Sequence, residues 1–148
     1  MSTLTTCLWL DGQAEAAYHF YLSVFPQATG GRMYRPTPEG PVLTAELTLQ
    51  GQPFMLLNGG PMYQLTPATS FIIHCANQAE VDHFWAHLAE GGQPMACGWV
   101  TDRFGVTWQV VPTRLLELLM GPDTARAARV HQQMLTMQKL DIAPLENA

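Results

Sequence analysis

The segment TTCLWLDGQAE, residues 5–15, has an approximate copy in SFIIHCANQAE, residues 70–80, and this duplication decides the fold. Each copy begins with a run of apolar and β-branched residues that is typical of a strand. A polar turn follows, and then Gln-Ala-Glu opens a helical pattern. Asp11 in the first copy and Asn77 in the second are suitable helix N-caps or turn residues. Both copies therefore predict a strand followed directly by a helix.

Three further strand-like segments follow the helix in each half of the chain. The first helix ends at Pro26 and the second at Gly91 and Gly92, which are breaker and C-cap signals. The predicted strands are residues 31–34, 43–49 and 53–57 in the first half and residues 94–97, 99–102 and 106–111 in the second. The turn at residues 102–105, Asp-Arg-Phe-Gly, is suited to a hairpin. Both halves read βαβββ, which predicts an α+β fold of two such modules with C-terminal helices.

The last part of the chain, residues 113–148, departs from the repeat and forms a helical tail. The modules span about residues 1–62 and 66–112, and modules and tail together make one domain. We predict a short helix, a Gly-Pro break and a final helix over residues 125–140. Val130, Met134 and Met137 lie on one stripe of that helix. The stripe indicates docking on its own domain or on a partner subunit, with a methionine-rich cofactor groove as the alternative.

Composition and charge exclude several kinds of function. The chain has 148 residues, 47% apolar and 13% charged, which allows a compact hydrophobic core. The net charge is −5 and the seven Lys and Arg residues do not cluster, so we expect no nucleic-acid surface. No apolar segment approaches the roughly 18–20 residues that a membrane helix needs. The short apolar run at the N-terminus has no basic segment before it and is interpreted as a strand, not a signal peptide.

The cysteines indicate the compartment. Cys7, Cys75 and Cys97 are odd in number, widely spaced and set in apolar surroundings. This pattern predicts reduced, buried thiols in a cytoplasmic protein. A reactive thiol is the alternative, but no basic residue next to them in sequence supports it.

Four segments carry a resemblance to a known family. They are LWLDGQAEAAYHFYLSVFP (residues 8–26), FMLLNGGP (54–61), CGWVTDRFGVTWQVVP (97–112) and MLTMQKLDIAPLE (134–146). Together they resemble the vicinal-oxygen-chelate superfamily of glyoxalase I, bleomycin-resistance proteins and extradiol dioxygenases. They are most similar to its PhnB-like branch, whose domain carries the label 3-demethylubiquinone-9 3-methyltransferase. The resemblance implies two paired modules around a concave interior and a homodimer, but a fold leaves the activity open.

The methyltransferase label does not agree with the residues. Enzymes of that kind that use S-adenosylmethionine place a glycine-rich turn after the first strand of a parallel sheet. Here the turn is Asp11-Gly12-Gln13, and no G-x-G occurs in the chain. We therefore expect no methyl transfer.

The resemblance also implies positions for a divalent metal. Metal-using relatives place His, Gln or Glu on four strands that face the interior, where the ion acts as a Lewis acid. The matching positions fall at Thr6, Ser70 and Gln109, and the strand at residues 54–57 has no acidic residue or histidine. A neutral amide alone holds a divalent ion poorly. We predict no metal site and no cofactor, with a divalent metal as the alternative.

A pair of histidines offers a second possible metal site. His83 and His87 lie four residues apart on the second helix, as two zinc ligands can, but spacing suggests no further ligands. A solvated helix face is the preferred interpretation.

Strand alternation predicts the lining of an apolar cavity with a few polar points. Ser70 and His74 share one face of their strand, and Thr107, Gln109 and Val111 face the cavity while Trp108 and Val110 pack on a helix. Thr6, Leu8 and Leu10 join the cavity from the first strand. Glu46 lies opposite its apolar neighbours and is expected to face solvent. The predicted ligand-binding residues are Thr6, Leu8, Asn58, Ser70, His74, Arg103 and Gln109.

Three of these residues, Asn58, His74 and Arg103, also have a structural interpretation, which is preferred for each. Asn58 can satisfy loop backbone, and Arg103 can pair with Asp102 in the hairpin turn. In the functional alternative Asn58 contacts a ligand and Arg103 holds a carboxylate or phosphate at the cavity mouth. In the functional alternative for His74, it is a base or a hydrogen-bonding group of the pocket.

Three functions fit this pattern. The first is a metal-independent protein that binds a small organic molecule. The second is a metal-dependent enzyme of the glyoxalase or dioxygenase type, acting on a small oxygenated substrate. The third is an interaction module whose cavity is filled by its own side chains. No nucleophile with a base and no close carboxylate pair is recognised, so the sequence leaves catalysis undecided.

Overall fold

A computed structural model describes all 148 residues, and they form two compact units, residues 1–65 and 66–148. The first unit contains β1 (Thr6–Leu10), α1 (Ala14–Val24), β2 (Thr29–Tyr34), β3 (Thr44–Leu49) and β4 (Gln52–Asn58). The second contains β5 (Phe71–Cys75), α2 (Gln78–Ala89), β6 (Gln93–Pro94), β7 (Trp99–Thr101), β8 (Thr107–Pro112), α3 (Thr113–Leu119), α4 (Thr124–Met134) and α5 (Ile142–Glu146). No helix is long and apolar enough to cross a membrane.

Both units have the same mixed four-stranded sheet. The strand order is β1-β4-β3-β2 in the first and β5-β8-β7-β6 in the second. In each, the first and last strands of the module pair in parallel and the other pairs are antiparallel. A parallel pair needs a crossover connection, because a tight turn can only reverse the chain. The predicted α+β architecture of two βαβββ modules is confirmed.

In the first unit α1 covers one face of the sheet. The buried side chains of the helix are Ala14, Ala17, Tyr21 and Val24. Those of the strands are Leu8, Leu10, Ala45, Leu47, Leu49, Phe54 and Leu56. Because side chains alternate along a strand, the intervening residues point the other way. We call that side, with Cys7, Trp9, Glu46, Met55 and Leu57, the open face of the first unit.

In the second unit α2 covers one face in the same way. The helix buries Val81, Phe84 and Leu88. The strand residues Ile73, Val100, Trp108 and Val110 are buried too. The predicted packing of Trp108 and Val110 on a helix is thus confirmed. We call the other side, with Ser70, Ile72, His74, Trp99, Thr101, Thr107 and Gln109, the open face of the second unit.

The two helices begin with different caps. Asn77 caps α2 as predicted, since its side chain accepts a hydrogen bond from the backbone N–H of Glu80 at 2.9 Å. The Glu80 carboxylate accepts in turn from the backbone N–H of Ala76 at 2.8 Å, which resembles a capping box. Asp11 is not the N-cap of α1 and lies in the bend before it, in agreement with the turn alternative. The N-cap residue of α1 is Gln13, which makes no side-chain cap, and the backbone N–H of Ala14 donates to Asn58 instead.

The turn between β7 and β8 is organised by a buried carboxylate. Asp102 is only 3% exposed. One of its oxygens accepts hydrogen bonds from the backbone N–H groups of Phe104 and Val106 at 2.8 and 3.1 Å. The other accepts from the indole N–H of Trp108 at 2.9 Å. The predicted hairpin is confirmed, and Asp102 ties its turn to the core beneath it.

The tail packs on its own unit. Its apolar residues form one cluster with the end of β8, namely Val111, Leu115, Leu118, Val130, Leu140 and Leu145, with Met134 and Met137 against it. This packing confirms the alternative in which the stripe docks on its own domain. The predicted final helix is too long, because α4 ends at Met134 and a separate helix follows at Ile142.

A backbone contact explains why α4 does not continue to residue 140 as predicted. The backbone N–H groups of Cys97 and Gly98 donate to the carbonyls of Met137 and Gln138, both at 2.8 Å. The strand predicted at residues 94–97 is wrong except at Pro94, because β6 is only Gln93–Pro94. Cys97 adopts a φ of 61° in a short 3₁₀ turn, Ala96–Gly98, that presents these N–H groups to the tail.

Candidate functional site

The open face of the second unit carries a hydrogen-bonded polar pair beside apolar side chains. The Gln109 side-chain amide donates to the Ser70 hydroxyl oxygen at 2.9 Å. In the sheet register Gln109 lies between Ile72 on β5 and Trp99 on β7. Ile72 is 50% exposed and Trp99 is half-buried. The predicted common orientation of Ser70, His74 and Gln109 agrees with the alternation of burial along these strands.

A second polar pair lies one row away. The hydroxyls of Thr101 and Thr107 are 2.9 Å apart, so one donates to the other. Thr101 also lies 3.5 Å from the sulfur of Met95. Together with Ser70 and Gln109 they form a band of neutral donors and acceptors across the sheet.

The tail closes one end of this face. Val111 was expected to line the cavity, but it is buried in the tail cluster with Leu115 and Leu140. His74, paired with Val111 in the register, remains exposed. The accessible part of the face is therefore the region around Gln109, Ile72 and Trp99.

The prediction for the first strand is wrong by one residue. Leu8 and Leu10 are 4% and 3% exposed and lie on the side covered by α1, and Thr6 shares that side by alternation. Cys7 and Trp9 lie on the open face instead. The repeat itself contains the signal for this, because Thr5, not Thr6, aligns with Ser70 in the two copies.

The open face of the first unit contains a recess of about 320 Å³. Its lining residues are Thr5, Thr29, Gly30, Gly31, Glu46, Leu47, Thr48, Pro53, Phe54 and Met55. A β-bulge lies beside it, since the register of β2 and β3 shifts between Gly30 and Met33 and places Gly31 and Arg32 opposite Glu46. Sequence reasoning missed this recess, because a bulge leaves no mark in the alternation of a single strand.

An ion pair forms one side of the recess. Arg32 donates to both carboxylate oxygens of Glu46, at 2.9 and 3.1 Å. The hydrogen bond from Arg32 lowers the pKa of Glu46 below its ordinary value. Glu46 lies opposite its apolar neighbours, as predicted, and it remains ionised beside the recess.

Asn58 and Arg103 have structural partners. The Asn58 side-chain oxygen accepts from the backbone N–H of Ala14 at 2.9 Å, and its amide donates to the Val42 carbonyl at 2.8 Å. Arg103 donates to the carbonyl of Glu90 at 3.1 Å, just after α2 ends. The preferred structural role of Asn58 is confirmed. Arg103 also has a structural role, with Glu90 as its partner.

The side chains at the superfamily's metal positions do not fit a divalent ion. On β1 and β4 the open-face residues are Cys7, Trp9, Met55 and Leu57, and none of them has a carboxylate or an imidazole. On β5 and β8, apart from hydroxyl groups, only His74 and Gln109 offer a nitrogen or oxygen ligand. The prediction of buried thiols holds only for Cys75, because Cys7 is exposed and Cys97 is half-buried. Partial desolvation still raises the pKa of the Cys7 thiol, which disfavours the thiolate that a metal requires. No group of three or more His, Cys, Asp or Glu side chains in the structure could hold an ion.

Comparison with solved structures agrees with the fold. The chain is 31% identical to a putative 3-demethylubiquinone-9 3-methyltransferase, the PhnB protein of Bacillus cereus, with a TM-score of 0.69 over 75% of this chain and 99% of that one. Protein PA1353 of Pseudomonas aeruginosa is 22% identical, with a TM-score of 0.60 over 76% and 98% of the two chains. The fosfomycin resistance protein FosX of Listeria monocytogenes, solved with Mn(II) and sulfate, is 16% identical, with a TM-score of 0.53 over 73% and 89%. The last two similarities show the fold alone.

A family model gives the assignment. No curated protein is detectably similar to the chain. The model described as 3-demethylubiquinone-9 3-methyltransferase matches residues 2–111, which include all eight strands except the last residue of β8. The description names a methyl-transfer reaction, but it serves only as the name of the model. The chain belongs to this family, the PhnB-like branch of the vicinal-oxygen-chelate superfamily.

Proposed function

We propose that this protein binds a small organic molecule on the open face of its second unit without the help of a metal ion. The observation that carries the proposal is the Gln109–Ser70 hydrogen bond set between Ile72 and Trp99. Ligand sites in proteins combine apolar surface with a few oriented polar groups that select the ligand. This face has that composition.

The polar groups favour a neutral ligand. Gln109, Ser70 and Thr101 are uncharged, and each can donate or accept hydrogen bonds, while Thr107 is only 1% exposed and serves as a partner of the Thr101 hydroxyl. An aromatic or apolar body would cover Ile72 and Trp99, while a carbonyl or hydroxyl group would meet the amide and the hydroxyls. Methyl transfer is not part of the proposal, because the chain lacks the glycine-rich turn that such enzymes use.

The donor chemistry supports metal independence. An amide, hydroxyls and one exposed imidazole, His74, are a poor set for a divalent ion, which prefers several carboxylate or imidazole ligands. A metal-dependent glyoxalase- or dioxygenase-type enzyme would need further ligands from elsewhere. That alternative predicts that binding or turnover disappears in a chelator.

We also propose that two copies associate. Met62 and Tyr63, which are adjacent in sequence, are 75% and 62% exposed. Large exposed apolar side chains of this kind are typical of association surfaces. Analytical ultracentrifugation would show a dimer at micromolar concentration, and a monomer at all concentrations would contradict this part of the proposal.

The test is a thermal-shift screen of neutral aromatic and apolar compounds in buffer with EDTA. For any compound that binds, Gln109→Leu removes the amide and keeps the volume. Loss of one hydrogen bond, worth about 0.5–1.5 kcal/mol, weakens binding roughly two- to tenfold. Gln132→Leu, at an exposed position on α4, is the matched control and leaves affinity unchanged. Equal affinity of wild type and Gln109→Leu, or binding only when metal is added, would refute the proposal.

A further inference from the structure

Two histidines on α2 lie apart from both open faces. His83 and His87 are four residues apart, so a single helical turn brings them to one face of the helix. Their ring centroids are 4.5 Å apart and the ring planes are inclined at 47°. His83 is half-buried and His87 is exposed. Two imidazoles are thus held side by side at the surface of the protein.

A hydrogen bond fixes the tautomer of His87. Its Nδ1 lies 2.8 Å from the carbonyl oxygen of His83. A carbonyl can only accept, so Nδ1 carries the proton and donates it. In the neutral ring Nε2 then holds the lone pair. Histidines that bind metals in proteins are oriented in this way, with the second ring nitrogen donating to a carbonyl or carboxylate.

The ring separation agrees with two ligands of one ion. A metal–nitrogen bond of about 2.0–2.1 Å puts the ring centroid about 3.2 Å from the ion. Two such rings at an angle of about 90–110° then have centroids about 4.5–5.2 Å apart. The observed 4.5 Å falls at the short end of this range.

We propose that His83 and His87 form a two-ligand surface site for a divalent transition-metal ion of the kind that imidazole prefers, such as Ni²⁺, Cu²⁺ or Zn²⁺. Water fills the remaining positions of the ion, because no third His, Cys, Asp or Glu completes the group. The neighbouring carboxylates of Asp82 and Glu90 are paired with Lys139 and Arg103, so the favourable charge is the net −5 of the whole chain. The site binds reversibly and is not needed for folding.

This site is independent of the proposed function. It lies on the helix that covers the other side of the sheet from Gln109, so an ion bound there touches no residue of the open face. Metal carried by the purified protein can therefore come from α2 and would not indicate a superfamily-type metal centre. Loss of ligand binding in Gln109→Leu and loss of nickel binding in His87→Ala are separate results, and either can occur without the other.

The test is titration of tag-free protein with NiCl₂ by isothermal calorimetry in chelator-free buffer. Wild type binds one ion per chain, and His87→Ala binds roughly tenfold or more weakly because a chelating pair becomes a single ligand. His83→Gln is the second variant, and His131→Ala, which removes an exposed histidine on α4, is the control that binds like wild type. Circular dichroism melts without nickel confirm that each variant is folded. Absence of binding by wild type, or equal affinity in folded His87→Ala, would overturn the proposal.

Discussion

Replacement of Asp102 is the strongest test of the hydrogen bonds that stabilise the second unit. Its carboxylate accepts three hydrogen bonds, from the backbone of Phe104 and Val106 and from the indole of Trp108. Val106 and Trp108 are 1% and 2% exposed, so water cannot replace the lost acceptor. A buried donor without a partner costs about 1–3 kcal/mol. Asp102→Ala leaves two such donors, and we expect it to lower the free energy of unfolding by about 2–6 kcal/mol.

Asp102→Asn separates the individual contributions. Asparagine has one acceptor oxygen, so either the turn or the Trp108 indole loses its partner, and the expected loss is about 1–3 kcal/mol. Removal of the buried charge offsets part of this, because a carboxylate is costly to desolvate. Trp108→Phe removes the indole donor. In a double-mutant cycle the two substitutions together should then cost less than the sum of their separate effects.

Urea denaturation followed by tryptophan fluorescence and by circular dichroism measures these free energies. An Asp102→Asn protein within about 0.5 kcal/mol of wild type, the range of ordinary surface substitutions, would refute the assigned role. Strict additivity with Trp108→Phe would show that the indole and the carboxylate are not coupled.

Three further predictions concern the elements that position the open faces. Gly98→Ala places a Cβ 2.8 Å from Leu140 at a φ of +83°, and we expect it to lower the free energy of unfolding by about 2–4 kcal/mol. Gly105→Ala has a similar φ but no atom within 4 Å of the new Cβ, and should cost about 1–2 kcal/mol. Equal losses in urea denaturation would contradict the contact between Gly98 and the tail. Asn58→Ala should cost about 1–2 kcal/mol because the Ala14 N–H loses its acceptor, and an unchanged unfolding midpoint would argue against this cap. Burial raises the pKa of the Cys75 thiol to about 12, so a thiol reagent at pH 8 should modify Cys75 only after unfolding, and stability should fall as pH rises from about 9 to 12. Because Cys7 is exposed, the label is located by peptide mass, and rapid modification of Cys75 in the folded protein would disprove this.

The fold followed from the sequence because its decisive signals are local and occur twice. The strand, turn and helix of residues 5–15 recur at residues 70–80, and each copy carries its own periodicity. The cap of α1 could not be found this way. Its partner, Asn58, is 44 residues away in sequence, and only the parallel pairing of β1 with β4 brings the two together.

The orientation of the site residues was predictable only on strands where the side that packs on the helix could be recognised from the sequence. Trp108 and Val110 mark the buried side of β8, so the orientation of Gln109 follows from them. In β1 the residues on both sides of the strand are apolar, since Cys7 and Trp9 alternate with Leu8 and Leu10. Alternation alone therefore did not decide which side packs on the helix. The end of α4 could not be predicted because it is associated with the backbone hydrogen bond between Cys97 and Met137, which are far apart in sequence.

The central claim is that the open face of the second unit binds its ligand without a metal. The most direct measurement is the metal content of the His87→Ala protein, which lacks the proposed surface site. The protein would be purified without a tag or chelator, incubated in turn with Zn²⁺, Ni²⁺, Mn²⁺ and Fe²⁺, gel-filtered and analysed by mass spectrometry. We predict that the chain retains far less than one equivalent of each metal. Retention of one ion per chain that Gln109→Leu then abolishes would contradict the claim and restore the metal-dependent enzyme.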